Sequence, residues 1–153
     1  MSDDVLVRAA RSADLDGLLA LYAELGEGGQ PAAERGRAQA VLDAALADPA
    51  RHLLVAALRD ELLGTVDMVI VPNLRHGARP WAVVENVVVT ERWRGAGVGR
   101  RLMGRAFQLA READCYKVQL LSRKQRVQAH AFYRGLGMEA VAEGFRIFFD
   151  ETV

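Results

Sequence analysis

Residues 94–99 read Arg94-Gly95-Ala96-Gly97-Val98-Gly99, and what stands on either side of them decides the fold. Before them, Trp81 to Val89 is β-branched and apolar apart from Glu85 and Asn86. A run of that length suits a central strand covered on both faces. After them, Val98, Leu102, Phe107, Leu109 and Ala110 mark a helix from about Gly97 to Ala113. A glycine turn between a strand and a helix has the logic of an anion site. The helix start offers unpaired N–H groups and partial positive charge. Glycine lets the backbone approach a phosphate with no Cβ in the way. Arg92, Arg94, Arg100, Arg101 and Arg105 add a basic cluster.

Two common nucleotide loops do not fit. A P-loop ends in Gly-Lys-Ser/Thr, but Arg100 follows Gly99. A dinucleotide fingerprint counted from Gly95 needs its third glycine at position 100, which is again Arg100.

Working outward, Val5-Leu6-Val7-Arg8 reads as a first strand. Ser12 or Asp14 is placed to cap a helix carrying Leu15, Leu18, Leu19, Tyr22 and Leu25, which Gly26, Gly28 and Gly29 end. An Ala-rich helix runs from about Ala33 to Ala47 and stops at Asp48-Pro49. His52–Leu58 and Leu62–Val71 form a hairpin around Arg59-Asp60-Glu61, followed by a loop from Pro72 to Pro80. Tyr116–Leu121 is a strand, Arg126–Leu136 a helix stopped by Gly137, and Glu139–Ala142 with Phe145–Phe149 a closing hairpin around Glu143-Gly144. The order β-α-α-β-β-β-α-β-α-β-β is that of a mixed α/β (α+β layered) protein. No repeat or low-complexity linker interrupts residues 1–153, which points to a single domain.

Composition narrows the function. Twenty basic and 20 acidic residues give a formal net charge of zero. That balance provides no global attraction to nucleic acid or a membrane surface. The lone Cys115 forms no internal disulfide, and the scattered His52, His76 and His130 offer no metal-ligand spacing. Cys115 reads as a small buried hydrophobe near a helix end. The acidic start Met1-Ser2-Asp3-Asp4 has no apolar core of a signal peptide, and no apolar run reaches membrane-spanning length. The expected location is cytoplasmic.

Arg94, Gly97 and Gly99 form the pattern R-x-x-G-x-G. With Glu85-Asn86-Val87-Val88-Val89 before it and Ala129-His130-Ala131-Phe132-Tyr133-Arg134-Gly135-Leu136-Gly137-Met138 after it, the chain resembles the GCN5-related N-acetyltransferase (GNAT) superfamily. The second segment matches A-x-x-F-Y-x-x-x-G-F except for Met138, a flexible side chain of similar volume. The motifs span residues 81–138; residues 1–80 match in pattern only. The resemblance implies a mostly antiparallel central sheet of about 6–7 strands with helices on both faces. It also implies acetyl-CoA-dependent acetyl transfer to a primary amine of a small molecule, or of a protein, by direct transfer in a ternary complex.

Residue roles follow from that resemblance. Backbone amides of Arg94, Gly95, Ala96, Gly97, Val98, Gly99 and Arg100 would grip the acetyl-CoA pyrophosphate. The backbone of Val87, Val88 and Val89 would bind the pantetheine arm as a pseudo-strand. An amide near Val87 or Val88 would stabilise the oxyanion. Tyr133 is the candidate general acid for the departing thiolate, although Ala129, Phe132, Tyr133 and Leu136 also read as an ordinary core stripe. Glu85 is the candidate base, expected to be partly desolvated in its apolar strand; its other reading is a carboxylate reaching solvent or Arg92. Phe132 and Arg126 join the acetyl-CoA site. Arg126 stands where many relatives have Asn, which puts that amide contact in doubt; with Lys124 and Arg134 it is an alternative partner for phosphate. For the acceptor, the candidates are Tyr22, Glu27 and Arg75. Arg75, His76 and Arg79 suit an acidic or phosphorylated acceptor, and Glu27 suits a cationic amine. The exposed-looking apolar end Phe145, Ile147, Phe148 and Phe149 suggests a homodimer. The second functional reading is a non-catalytic acyl-CoA sensor with the same fold.

Overall fold

The computed structural model describes residues 4–25 and 33–149. They divide into two compact units, one ending at Gln119 and one beginning at Leu120. The first is built on a sheet. Strand β1 (Leu6–Ala9) leads to helices α1 (Leu15–Ala23) and α2 (Arg35–Ala47). Strands β2 (Arg51–Leu58), β3 (Glu61–Val71) and β4 (Trp81–Val89) follow, then helix α3 (Val98–Glu112) and the short strand β5 (Val118–Leu120). The sheet order is β1-β2-β3-β4-β5, and the pairings from β1 through β4 are antiparallel. Ala82 N donates to Lys117 O and Tyr116 N to Pro80 O. Both numbers rise together, so β5 runs parallel to β4.

Helices cover both faces. On one, Leu15 and Leu18 of α1 and Leu42 of α2 pack with Ala10, Leu53 and Val55. On the other, α3 buries Val98, Leu102, Met103, Ala106 and Ala110, the spacing of one helical stripe. A Cβ placed on Gly64 would stand 3.1 Å from Leu102 Cδ1, which puts Gly64 on the α3 face. Thr65 and Asp67 face α1, whose Tyr22 they neighbour.

Several sequence expectations need correction. In α1, Leu21 is 3% exposed and Leu19 is 36% exposed, so the buried stripe is Leu15, Leu18, Leu21 rather than one through Leu19. Neither Ser12 nor Asp14 caps α1. Asp14 accepts from Arg8 at 2.7 and 3.0 Å and from the Arg11 amide, while Ser12 donates to Asp43 of α2. Glu34 is the helix cap that the sequence reading missed, accepting from the Gly36 and Arg37 amides at 2.8 Å each.

The second unit holds helix α4 (Val127–Gly135), closed by Met138 N and Leu136 N donating to Tyr133 O and Gly137 N to Arg134 O. The expected closing hairpin is not formed: among the described residues 139–149 there is no strand. Among the described residues the sheet therefore has five strands, not 6–7. An alternating pattern supplies strand propensity but not a ladder, and an isolated hairpin is marginal in water. Phe145 at 89% and Phe149 at 91% exposure have no covering face.

Candidate active site

The centre of the site is a β-bulge in β4. Thr65 pairs with Val88 and Asp67 with Glu85. Two steps along β3 thus match three along β4, so β4 carries one extra residue. Asn86, at φ 52°, takes the left-handed conformation that makes room for it. Without the bulge, Glu85 and Val88 would point to opposite faces. With it, both share the α1 face with their partners Asp67 and Thr65. The bulge also interrupts the ladder just ahead of Val87.

Past the bulge, β4 outruns β5. Three residues on from Lys117 carry β5 about as far as Glu85, since parallel neighbours advance together. Val88 and Val89 pair with β3, and Thr90 N donates to Leu63 O. This end of β4 therefore has an edge beyond the reach of β5. It is the kind of edge that binds an extended ligand arm through main-chain hydrogen bonds.

The glycine loop follows directly. Residues 91–93 form a 3₁₀ turn in which Trp93 N donates to Thr90 O, and Arg94 N donates to Glu91 O. Gly95 (φ 75°) and Gly97 (φ 85°) are both left-handed, and Gly97 is the residue from which α3 departs. The first helical bond runs from Arg101 N to Gly97 O, so the amides of Val98 and Gly99 lie in the first turn, ahead of the ladder. A Cβ on Gly95 would meet nothing within 4 Å. The loop thus faces open space at the positive end of a 15-residue helix, where an anion is favoured. The Arg94 side chain turns back onto the strand. Its Nε donates to Val89 O at 3.0 Å and its Nη2 lies 3.6 Å from Glu24, so its guanidinium braces the loop. Arg92 pairs with Glu61.

Glu85 is exposed, which overturns the expectation of a desolvated carboxylate. The buried carboxylate is its cross-strand partner Asp67, only 4% exposed and held by Arg51 through Nε at 3.0 Å and through Nη2. Tyr22 stands beside them. Burial, with the nearby charge of Asp67, pushes its phenol up to about 12 against the opposing effects of Thr65 and Arg51. Tyr22 is thus a hydrogen-bond donor at any ordinary pH. The sequence reading did not single out Asp67 or Arg51, although a lone acid in the apolar run Leu62–Val71 is the same signal that marked Glu85.

The Pro72–Pro80 loop folds back on the end of α3. His76 stacks on Tyr116 at 4.0 Å between ring centroids, and Arg79 pairs with Asp114 at 3.1 Å. His76 and Arg79 thus have partners within the protein, and both are exposed, as is Arg75. Glu27 and residues 26–30 lie outside the described residues. Cys115 is half-buried, and burial beside Asp114 raises its thiol above the ordinary value. No set of three metal-ligating side chains occurs among the described residues. Nor is any described helix long and apolar enough to cross a membrane.

In the second unit, Tyr133 is 9% exposed and its ring packs at a tilt against Phe132, 5.3 Å between centroids. The expected stripe on α4 therefore has Tyr133 as its buried member, with Ala129, Phe132 and Leu136 half-buried. Arg126, at the start of α4, is exposed. His130 Nε2 is bonded to Arg123 O at 2.9 Å, fixing the preceding basic loop onto the helix. Arg123, Lys124, Gln125, Arg146 and Phe148 line a shallow cleft there, and Ser122 Oγ is buried without a hydrogen-bond partner.

Comparison with known proteins places this arrangement. The family model for the acetyltransferase (GNAT) family matches residues 16–138. Over 86 residues the chain is 33% identical to a glucosamine 6-phosphate N-acetyltransferase of Trypanosoma brucei brucei, covering 56% of each protein. Over 105 residues it is 32% identical to an aminoglycoside N(6')-acetyltransferase type 1 of Stenotrophomonas maltophilia, covering 64% of this chain and 66% of that protein. These matches thus span between about half and two thirds of the curated relatives' length. A solved structure of a provisionally named acetyltransferase from Agrobacterium tumefaciens strain C58 superimposes with a TM-score of 0.88 at 40% identity, covering 94% of this chain and 99% of that one. The bulged strand, the glycine loop and the helix that follows lie inside the matched span, and the chain belongs to the acetyltransferase (GNAT) family, a family of acyltransferase enzymes.

Proposed function

We propose that this chain is one domain over residues 1–153 that transfers the acetyl group of acetyl-CoA directly to a primary amine in a ternary complex. The observation that carries this reading is that β4 runs on past the bulge at Asn86 and beyond the end of β5, so that the Val87–Val89 edge leads into the left-handed glycine loop. The loop amides of Gly95 and of Gly97 to Arg100 take the pyrophosphate, while that of Ala96 donates to Trp93 O. The edge of Val87, Val88 and Val89 takes the pantetheine arm, and an amide at Val87 or Val88 meets the developing oxyanion. Arg94 supports the loop from behind. In the second unit, Phe132 and Arg126 are the side chains the family resemblance assigns to acetyl-CoA.

The amine nitrogen attacks the thioester carbonyl, the C–S bond breaks, and the thiolate takes a proton from Tyr133. Glu85 removes the proton of the amine; its exposure suits transfer through a water. Tyr22 donates a hydrogen bond on the acceptor face, and Arg75 and Glu27 complete the acceptor contacts. Two relatives are named for acetylating amino sugars, so amino sugars, with and without phosphate, are the acceptors of choice. The chain acts as a homodimer through the exposed aromatic end Phe145–Phe149, which light scattering checks.

The test is release of free thiol from acetyl-CoA against a panel of amino sugars, aminoglycosides, amino acids, polyamines and peptides. Release with one class of amine supports the reading. Tight CoA binding with no release for any amine supports the acyl-CoA sensor instead.

A further inference from the structure

At the end of α1 stands a carboxylate that touches the glycine loop from 66 residues away in sequence. Glu24 Oε1 accepts from Thr90 Oγ1 at 2.8 Å. Its Oε2 accepts from the Glu91 amide at 3.0 Å and lies 3.6 Å from Arg94 Nη2. Arg94 in turn donates to Val89 O. One side chain thus fixes three points, at Thr90, Glu91 and Arg94, on the segment joining β4 to the glycine loop. The 3₁₀ turn's own bonds are Trp93 N to Thr90 O and Arg94 N to Glu91 O, with further ties from Thr90 N to Leu63 O, Ala96 N to Trp93 O and Arg92 to Glu61. Such a short turn has weak geometry of its own. Gly95 and Gly97, which follow, are free to take many conformations once the turn lets go.

We propose that Glu24 is a positioning residue for acetyl-CoA: it holds the Thr90–Arg94 turn, so that the glycine-loop amides are already aimed when the pyrophosphate arrives. The role rests on reading that loop as the acetyl-CoA site. It gives the Arg of the R-x-x-G-x-G pattern an internal task, as the second half of a Glu24–Arg94–Val89 strut. A preorganised anion cradle binds more tightly because ordering the loop no longer draws on binding energy.

The experiment is calorimetric titration of CoA into the parent chain, Glu24→Ala, Glu24→Gln and Thr90→Val, followed by KM and kcat with an amine found in the screen. Partly exposed charged hydrogen bonds of this kind are worth about a five- to tenfold change in Kd when both are lost. Glu24→Ala is expected to weaken CoA binding by that factor and to raise KM for acetyl-CoA alike, with kcat within about twofold. Glu24→Gln keeps one carbonyl acceptor but loses the charge facing Arg94, and Thr90→Val loses a single bond; each is expected to weaken binding about two- to threefold. An unchanged Kd in Glu24→Ala, or a fall in kcat with no change in KM, overturns the proposal. Should Glu24→Ala not fold, Glu24→Gln decides, and an unchanged Kd there overturns it equally. Failure of the parent chain to bind CoA strikes the acetyl-CoA reading itself, which separates the two outcomes.

Discussion

Gly95→Ala puts a Cβ into open space: no atom lies within 4 Å of where it would stand. The substitution therefore creates no clash in the unliganded protein, and its structural effect comes from the backbone alone. At φ 75° a residue with a Cβ is disfavoured by about 1–2 kcal/mol relative to glycine. For a chain of this size that corresponds to a fall in Tm of roughly 2–6 °C. The ligand-bound effect is of another order. If the Gly95 region faces pyrophosphate, the Cβ occupies the space through which a phosphate oxygen approaches the amides. Losing one charge-assisted amide–phosphate bond costs about 1.5–3 kcal/mol, or roughly tenfold to a hundredfold in CoA affinity. Gly104→Ala is the matched control. Position 104 lies inside α3, also has nothing within 4 Å, and should gain about 0.5–1 kcal/mol of stability with CoA affinity unchanged. Calorimetric titration of CoA and thermal melts of the three proteins give both readouts. Parent-like CoA affinity in Gly95→Ala would refute the assignment of this loop to the pyrophosphate.

Tyr133→Phe should leave CoA affinity within about twofold while kcat falls at least tenfold, as loss of a general acid requires; unchanged turnover removes the acid role. Glu85→Gln should lower kcat/KM and shift the acidic limb of its pH profile; a superimposable limb excludes Glu85 as the base. Between pH 10 and 12 the unfolded chain loses the proton of Tyr22 while the folded chain keeps it, so stability falls as pH rises. Tyr22→Phe should remove up to about 1.4 kcal/mol per pH unit from that slope in urea unfolding, and parallel slopes would contradict the burial of the phenol. Arg8 holds the Asp14 carboxyl below its ordinary value, so the stability it contributes is present above about pH 4 and lost as the pH falls through the folded-state value. Asp14→Asn should cost roughly 1–3 kcal/mol at neutral pH and flatten the acid branch of the stability curve; equal acid branches would refute this.

The glycine loop was legible because its conformation needs a residue type that can be counted. Left-handed backbone at Gly95 and Gly97 leaves glycine as its mark in the sequence. The strand before it was legible from apolar content, and α3 from its stripe. The bulge was not: Asn86 tolerates the left-handed region, but it also occurs in ordinary strands and turns, and register exists only between two strands. Glu24 was invisible for a related reason, since its partners Thr90 and Glu91 are brought to it by the sheet rather than by sequence. Asp67 was visible and passed over. A single acid in Leu62–Val71 looks like a surface residue until Arg51 is seen to pair with it. The closing hairpin erred in the other direction. Phe145, Ile147 and Phe149 alternate as strand residues do, yet alternation says only which face a strand would bury, not that a face exists to receive it.

The extra residue at Asn86 makes β4 two strands joined at a seam. Upstream, Val84 answers to Met68 and must suit the packing beneath α3; downstream, the same alternation has been reset, and Val88 answers to Thr65. Changes on one side of the seam need not be matched in phase on the other. The half of the strand before the bulge can therefore be revised while the half that leads into the glycine loop keeps its count. One continuous stretch of chain thus carries two halves that can vary out of step with each other.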